Sequence, residues 1–93
     1  MIATLIELLF AYNDSDTSGN AIVGTVDPSD NSISFGTPVI FESANIGNDP
    51  DITFDSSNNK VVIAYKDEGN SDYGTAIVGT VSGTSISFGS SVV

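Results

Sequence analysis

Asp14-Ser15-Asp16-Thr17-Ser18-Gly19 alternates oxygen-bearing side chains and ends on a glycine. This is how an EF-hand-type calcium loop opens, with ligands at every second position and a glycine for the sharp turn. Asp14, Asp16 and Ser18 would be the ligands. The match stops there, because the twelfth position is Thr25 where a bidentate glutamate belongs. The later loop in the corresponding place, Asp67-Glu68-Gly69-Asn70-Ser71-Asp72, breaks the spacing. Asp, Ser, Asn and Gly also favour turns on their own account, so a polar turn is the simpler reading.

Asp49, Asp51 and Asp55 supply carboxylates of the kind that flank a glycosidic bond as acid and base, but nothing in their spacing makes them converge. The chain has no histidine, cysteine or arginine. A Ser-His or Cys-His nucleophile is therefore impossible within it. No catalytic residue and no cofactor is expected. The remaining candidate is a binding surface at Asp67, Asn70, Asp72 and Tyr73. There an aromatic ring sits among hydrogen-bonding side chains, the combination that stacks on a sugar ring. The other aromatic residues, Phe10, Tyr12, Phe35, Phe41, Phe54, Tyr65 and Phe88, fall in strand-like runs and read as core.

Composition narrows the partners. Twelve acidic residues against two lysines give a formal charge of -10 over 93 residues. Such a chain cannot replace the counterions of nucleic acid or of an anionic membrane surface. A hydrophobic fraction of 40% in strand-sized runs argues against disorder. The longest apolar run is interrupted by Glu7 and is far short of the roughly 20 residues that span a bilayer as a helix. Without cysteine there is no disulfide framework, and the compartment stays open.

The elements that must position these residues occur twice. Ala21-Ile22-Val23-Gly24-Thr25-Val26 returns as Ala76-Ile77-Val78-Gly79-Thr80-Val81, and Ile33-Ser34-Phe35-Gly36 returns as Ile86-Ser87-Phe88-Gly89. Ala11-Tyr12 matches Ala64-Tyr65, and Val39-Ile40 matches Val92-Val93. The offset is 53 residues (64 − 11) except over the Ala21 stretch, where it is 55 (76 − 21). Insertions confined to turns accompany duplicated strand units. A period near fifty without helical spacing points to propeller blades or a β-solenoid.

Taken in order, the pattern predicts strands at residues 6–13, 20–26 and 32–41 in an incomplete first repeat (about 1–45). In a complete second repeat (about 46–93) it predicts strands at 51–55, 60–66, 75–81 and 85–93. Met1 to Tyr12 has a helix-compatible pattern, but its second half falls on the β-branched run Val61-Val62-Ile63-Ala64-Tyr65, which decides for strand. Gly36 and Pro38 kink the third strand and confine it to an edge. Val61, Ile63 and Tyr65 face one way while Val62 and Ala64 face the other, so both sheet faces are apolar.

The run Pro50-Asp51-Ile52-Thr53-Phe54-Asp55, then Asn59 to Tyr65, Ala76 to Val81 and Ile86 to Gly89, resembles the β-propeller blade repeats of phage and bacterial surface or tail-associated proteins. Its entry is similar in rhythm to sialidase blades. The resemblance implies an all-β, single-domain chain of antiparallel four-stranded meanders, about two blades, assembling with other chains into a propeller. A two-sheet β-sandwich is the alternative. Sialidase activity is not implied, since that family holds its acidic sugar with arginines. Two blades cannot close a ring of 4 to 8, so identical chains are expected to assemble as a dimer, trimer or tetramer, the trimer giving six blades. The opening half-blade lacks its first strand, a place for Met1 to Leu5, a neighbouring chain or the rest of a longer array. Function is then expected to be non-enzymatic binding or adhesion, with glycans as the candidate ligand, or a purely structural segment of a surface or virion protein.

Overall fold

The computed structural model describes residues 6–14, 18–47, 50–55, 57–58 and 60–93. Met1 to Leu5, and with them the expected replacement for a first strand, lie outside the described residues. Eight strands follow in chain order: β1 (Ile6–Asn13), β2 (Ser18–Asp27), β3 (Ser32–Phe35), β4 (Val39–Asn45), β5 (Asp51–Asp55), β6 (Lys60–Asp67), β7 (Tyr73–Ser82) and β8 (Ser85–Phe88). They form two antiparallel four-stranded sheets with no helix among the described residues. Among the described residues no helix is long and apolar enough to cross a membrane.

In sheet A, β2 is flanked by β1 on one edge and by β3 and then β4 on the other. The single strand expected over 32–41 is thus two strands, interrupted at Gly36-Thr37-Pro38. Pro38 has no N–H to give the ladder. Gly36 N–H still reaches the Val23 carbonyl at 2.9 Å, and pairing resumes at Val39 opposite Ala21. Sheet B is a plain meander, β5-β6-β7-β8. Its last strand makes the same detour, ending at Phe88 where a run to Val93 was expected. Gly89 N–H donates to the Val78 carbonyl, and Val92 rejoins the sheet opposite Ala76.

The pairings correspond residue by residue. Ala11 faces Ala21 as Ala64 faces Ala76, Leu8 faces Gly24 as Val61 faces Gly79, and Gly24 faces Phe35 as Gly79 faces Phe88. Turn chemistry fixes these registers. At the β2–β3 turn the Asp27 carboxylate accepts from Ser29 N–H and Oγ at 2.9 and 2.7 Å, and Asn31 takes the left-handed backbone conformation. At the β7–β8 turn Gly83 does so at φ 61°.

The two sheets stack, and they do so with opposite faces. In sheet B the buried face carries Val61, Ile63 and Tyr65 of β6, Ile77 and Val81 of β7, and Ile86 of β8. We call this the front face. In sheet A the corresponding residues, Leu8, Phe10, Tyr12 and Ile33, are exposed, with Ile22 and Val26 half-buried. Sheet A instead buries its back face, Ala21, Val23 and Phe41, with Leu9, Ala11 and Val39 packed alongside. The back-face counterparts in sheet B, Val62, Ala64 and Val78, are exposed, and Ala76 is half-buried. The core is therefore the front of sheet B laid on the back of sheet A. Val23, Val61 and Ile63 are its largest fully buried side chains, each contributing about 1.5–3 kcal/mol of apolar transfer.

Phe41 joins the layers. Its ring meets Tyr65 edge-on at 5.2 Å and Phe88 at 5.8 Å. The expectation that strand aromatics are core holds for Phe41, Tyr65 and, in part, Phe88. It fails for Phe10, Tyr12, Phe35 and Phe54, which are exposed, because nothing among the described residues covers the face or edge on which they lie. A second tie runs along the sheet ends, where Gly47 N–H donates to the Lys66 carbonyl and Glu68 N–H to the Asn45 carbonyl, both at 2.9 Å. Lys60 and Lys66, the chain's two lysines, alternate with Val61 and Tyr65 and so lie on the back of β6. Lys60 donates to Thr80 Oγ1 at 2.7 Å, and Lys66 pairs with Glu68 at 3.3 Å on the surface.

Candidate functional site

The β6–β7 turn carries all four residues expected to bind a ligand. Asp67 ends β6 and faces Tyr73, which begins β7 and is not in the loop where the sequence placed it. Between them the chain is wound tightly. Asn70 N–H donates to the Asp67 carbonyl and Tyr73 N–H to the Asn70 carbonyl, both at 3.0 Å, and Ser71 and Asp72 have φ of 55° and 61°. Two successive non-glycine residues in the left-handed region hold the turn in a sparsely populated conformation.

The four side chains do not share one environment. Asp67 is buried, and its Oδ1 accepts the Gly69 N–H at 3.0 Å. Burial, and then the neighbouring Glu42 carboxylate, hold its pKa above the ordinary carboxylate value. Glu42 in turn accepts a 3.0 Å hydrogen bond from Tyr65 Oη and a 3.2 Å bond from Ala44 N–H. The Tyr65 hydroxyl is pushed well above its usual range, first by burial and then by Glu42. Asp67 thus belongs to an inward carboxyl-tyrosine cluster that links β4 to β6. Asn70, Asp72 and Tyr73 face outward, with Tyr73 54% exposed. The turn gives them a convex rim.

At the corresponding hairpin of sheet A, β1–β2, which lies at the same end of the sheets, Asp14 Oδ1 accepts from Ser18 Oγ at 3.2 Å, and Asp14 N–H donates to the Ser18 carbonyl at 3.3 Å. Ser18 is buried in β2, where Asn20 also donates to its carbonyl at 3.2 Å. Asp14 and Ser18 are therefore close together, while Asp16 lies outside the described residues. Among the described residues no three His, Cys, Asp or Glu side chains converge.

Of the carboxylates weighed for glycoside chemistry, Asp49 lies outside the described residues. Asp51 and Asp55 are both exposed, at the two ends of β5. Four residues of strand separate their backbones by about 13 Å, beyond the roughly 5–9.5 Å between paired glycosidase carboxylates. Asp55 is occupied in a turn, accepting from Ser57 N–H at 3.0 Å and Asn58 Nδ2 at 2.8 Å. The Asn58 contact leads in holding its carboxyl below the ordinary range.

Two apolar hollows lie away from the rim. One, of about 340 Å³, opens between the sheets and is lined by Leu8, Leu9, Val23, Ile52, Phe54, Val61 and Val81. The other, of about 310 Å³, is a shallow depression on the front of sheet A among Phe10, Tyr12, Ile22 and Phe35. Phe10 and Phe35 stand 5.9 Å apart at its side. Neither hollow is lined by a charged side chain, so both suit apolar groups. Sequence reasoning did not single out the front of sheet A. The signal was present in the corresponding positions of the second copy, whose front face is apolar because it is covered.

Compared with protein-family models, curated proteins and solved structures, the chain has no match.

Proposed function

We propose that the chain is a non-catalytic stacking module, two meander blades of the propeller type whose work is to lay sheet upon sheet in a larger assembly. The observation that carries this reading is the burial of opposite faces. Two sheets of corresponding sequence that packed like face on like face would close on each other and finish. Front on back leaves one front and one back open, the arrangement by which blades succeed one another round an axis. Exposed apolar patches on this scale mark interaction surfaces.

The test is a covalent tandem of two chains joined by a flexible linker. Stacked units gain a nearest-neighbour interface term with each addition, so the tandem is expected to melt well above the single chain, in one cooperative transition. A tandem that melts at the single-chain temperature would refute stacking as the module's role.

A second reading rests on Tyr73. Its exposed ring beside Asn70 and Asp72 suits stacking on a sugar ring, making the rim turns of an assembled ring a multivalent glycan surface. A glycan array should then give hits that Tyr73→Ala abolishes. An array without hits, or hits indifferent to that change, removes this reading and leaves the stacking module intact.

A further inference from the structure

We propose that the open front face of sheet A receives the back face of sheet B from a second copy of this chain, head to tail. The inference rests on the stacking reading above and names its partner. The chain itself shows what covers a front face. On sheet B the front residues Ile63, Tyr65 and Ile77 are buried with Phe41, Ala21 and Ile46 in one cluster, against which Leu9 and Ala11 pack. The front of sheet A presents the corresponding residues Phe10, Tyr12 and Ile22, uncovered or half-covered. The surface that corresponds to the covering back face is equally open on the same molecule: Val62, Ala64, Ala76 and Val78 of sheet B, with Val78 48% exposed.

The hollow on sheet A sharpens the match. Its four lining residues, Phe10, Tyr12, Ile22 and Phe35, correspond one for one to Ile63, Tyr65, Ile77 and Phe88. Of those four, Tyr65 and Phe88 stand against the Phe41 ring, and Ile63 and Ile77 belong to the same core cluster. The depression thus corresponds in position to the part of sheet B that Phe41 covers. Sheet B of a second copy brings valine and alanine to this face, so the depression is filled less completely between chains than its counterpart is within one. Close approach is nevertheless possible, because Phe35 lies flat over Gly24 as Phe88 lies over Gly79, where an added Cβ would stand 3.0 and 2.8 Å from the respective ring. Glycine keeps both front faces level.

Head-to-tail contact differs from a two-fold dimer in a way that mixing reveals. Phe10→Glu spoils the front and leaves the back intact, whereas Val78→Glu does the reverse. The wild-type mass, followed by sedimentation velocity over a concentration series, is expected to rise with concentration. Each single variant is expected to stay monomeric, its association weakened by about a hundredfold or more by the unpaired charge. An equimolar mixture of the two is expected to give dimers and nothing larger, since one intact front meets one intact back. Circular dichroism verifies folding, and Tyr12→Glu with Val62→Glu repeats the test at neighbouring sites. A wild-type chain that stays monomeric throughout overturns the proposal, and the covalent tandem then tells whether stacking as such survives. Self-association of either single variant at the wild-type level, or a mixture without dimers, overturns it as well.

Discussion

Replacing Phe41 by alanine is expected to uncouple the two sheets. The ring is nearly inaccessible, belongs to the larger core cluster, and makes both aromatic contacts that join β4 of sheet A to β6 and β8 of sheet B. Truncating a buried phenylalanine costs about 3–5 kcal/mol, which includes the transfer of the ring and the cavity it leaves. Two well-placed ring pairs argue for the upper half of that range, each adding about 0.5–1.5 kcal/mol beyond area. Against a net stability of about 5–15 kcal/mol for a domain, a loss near 4 kcal/mol removes a large share. At about 4–8 °C per kcal/mol for a domain of this size, the melting temperature falls by about 15–30 °C. Phe10→Ala is the control, a ring of the same size on the open face, expected to cost about 1 kcal/mol or less. Urea titrations followed by circular dichroism and tyrosine fluorescence measure both, at a dilution where association does not add to stability. A Phe41→Ala cost below about 1 kcal/mol, or one no larger than that of Phe10→Ala, would refute the assignment of Phe41 as the tie between the sheets.

Gly19→Ala places a Cβ 2.6 Å from Phe41 Cζ, an overpacking worth about 1–3 kcal/mol. The penalty should shrink in a Phe41→Leu background, as a double-mutant cycle would show. Asp67 binds its proton more tightly in the folded chain than in the unfolded one. Its contribution is therefore full below the ordinary carboxylate range and is lost as pH rises through the raised folded value. Asp67→Asn, which keeps an acceptor for the Gly69 N–H, is thus expected to be more stable than wild type at neutral pH and to lose that advantage in acid, measured as melting temperature against pH. Gly83→Ala meets open space but a φ of 61°, so it should cost about 1 kcal/mol, and Gly83→Asn less. Equal stability of the three Gly83 chains would show that the turn relaxes.

Strand identity was legible because apolar alternation and turn residues agree along most of the chain. The strand over Ile6–Asn13 could be read only by comparing Leu8 to Tyr12 with Val61 to Tyr65, since its own pattern also suits a helix. The break at Gly36-Thr37-Pro38 was visible as a kink but not as two strands, because only the pairing shows that these three residues stand opposite two of β2 and that the chain then rejoins the same neighbour. What the sequence could not show is which face each sheet buries. Leu8, Phe10 and Tyr12 are as apolar as Val61, Ile63 and Tyr65, and alternation gives phase without telling which layer lies above. Tyr73 reads as a loop residue because the second copy carries two more residues there than the first, whereas the left-handed pair Ser71 and Asp72 just before it lets the β6–β7 ladder extend to Asp67 and Tyr73.

The placement of the two lysines bears on how chains meet. Every other charged side chain of this molecule is negative, so two copies repel over most mutual orientations at long range. Lys60 and Lys66 stand on the back of β6, with Asp55 opposite Lys60 and Glu68 at 3.3 Å from Lys66, so this side carries charges of both signs. In the proposed stack, a copy approaching that side would meet attraction as well as repulsion before any side chains touch, since such fields reach about 10 Å in moderate salt. In that stack the charge pattern would bear on the orientation of the encounter, and the apolar surfaces on how long it lasts.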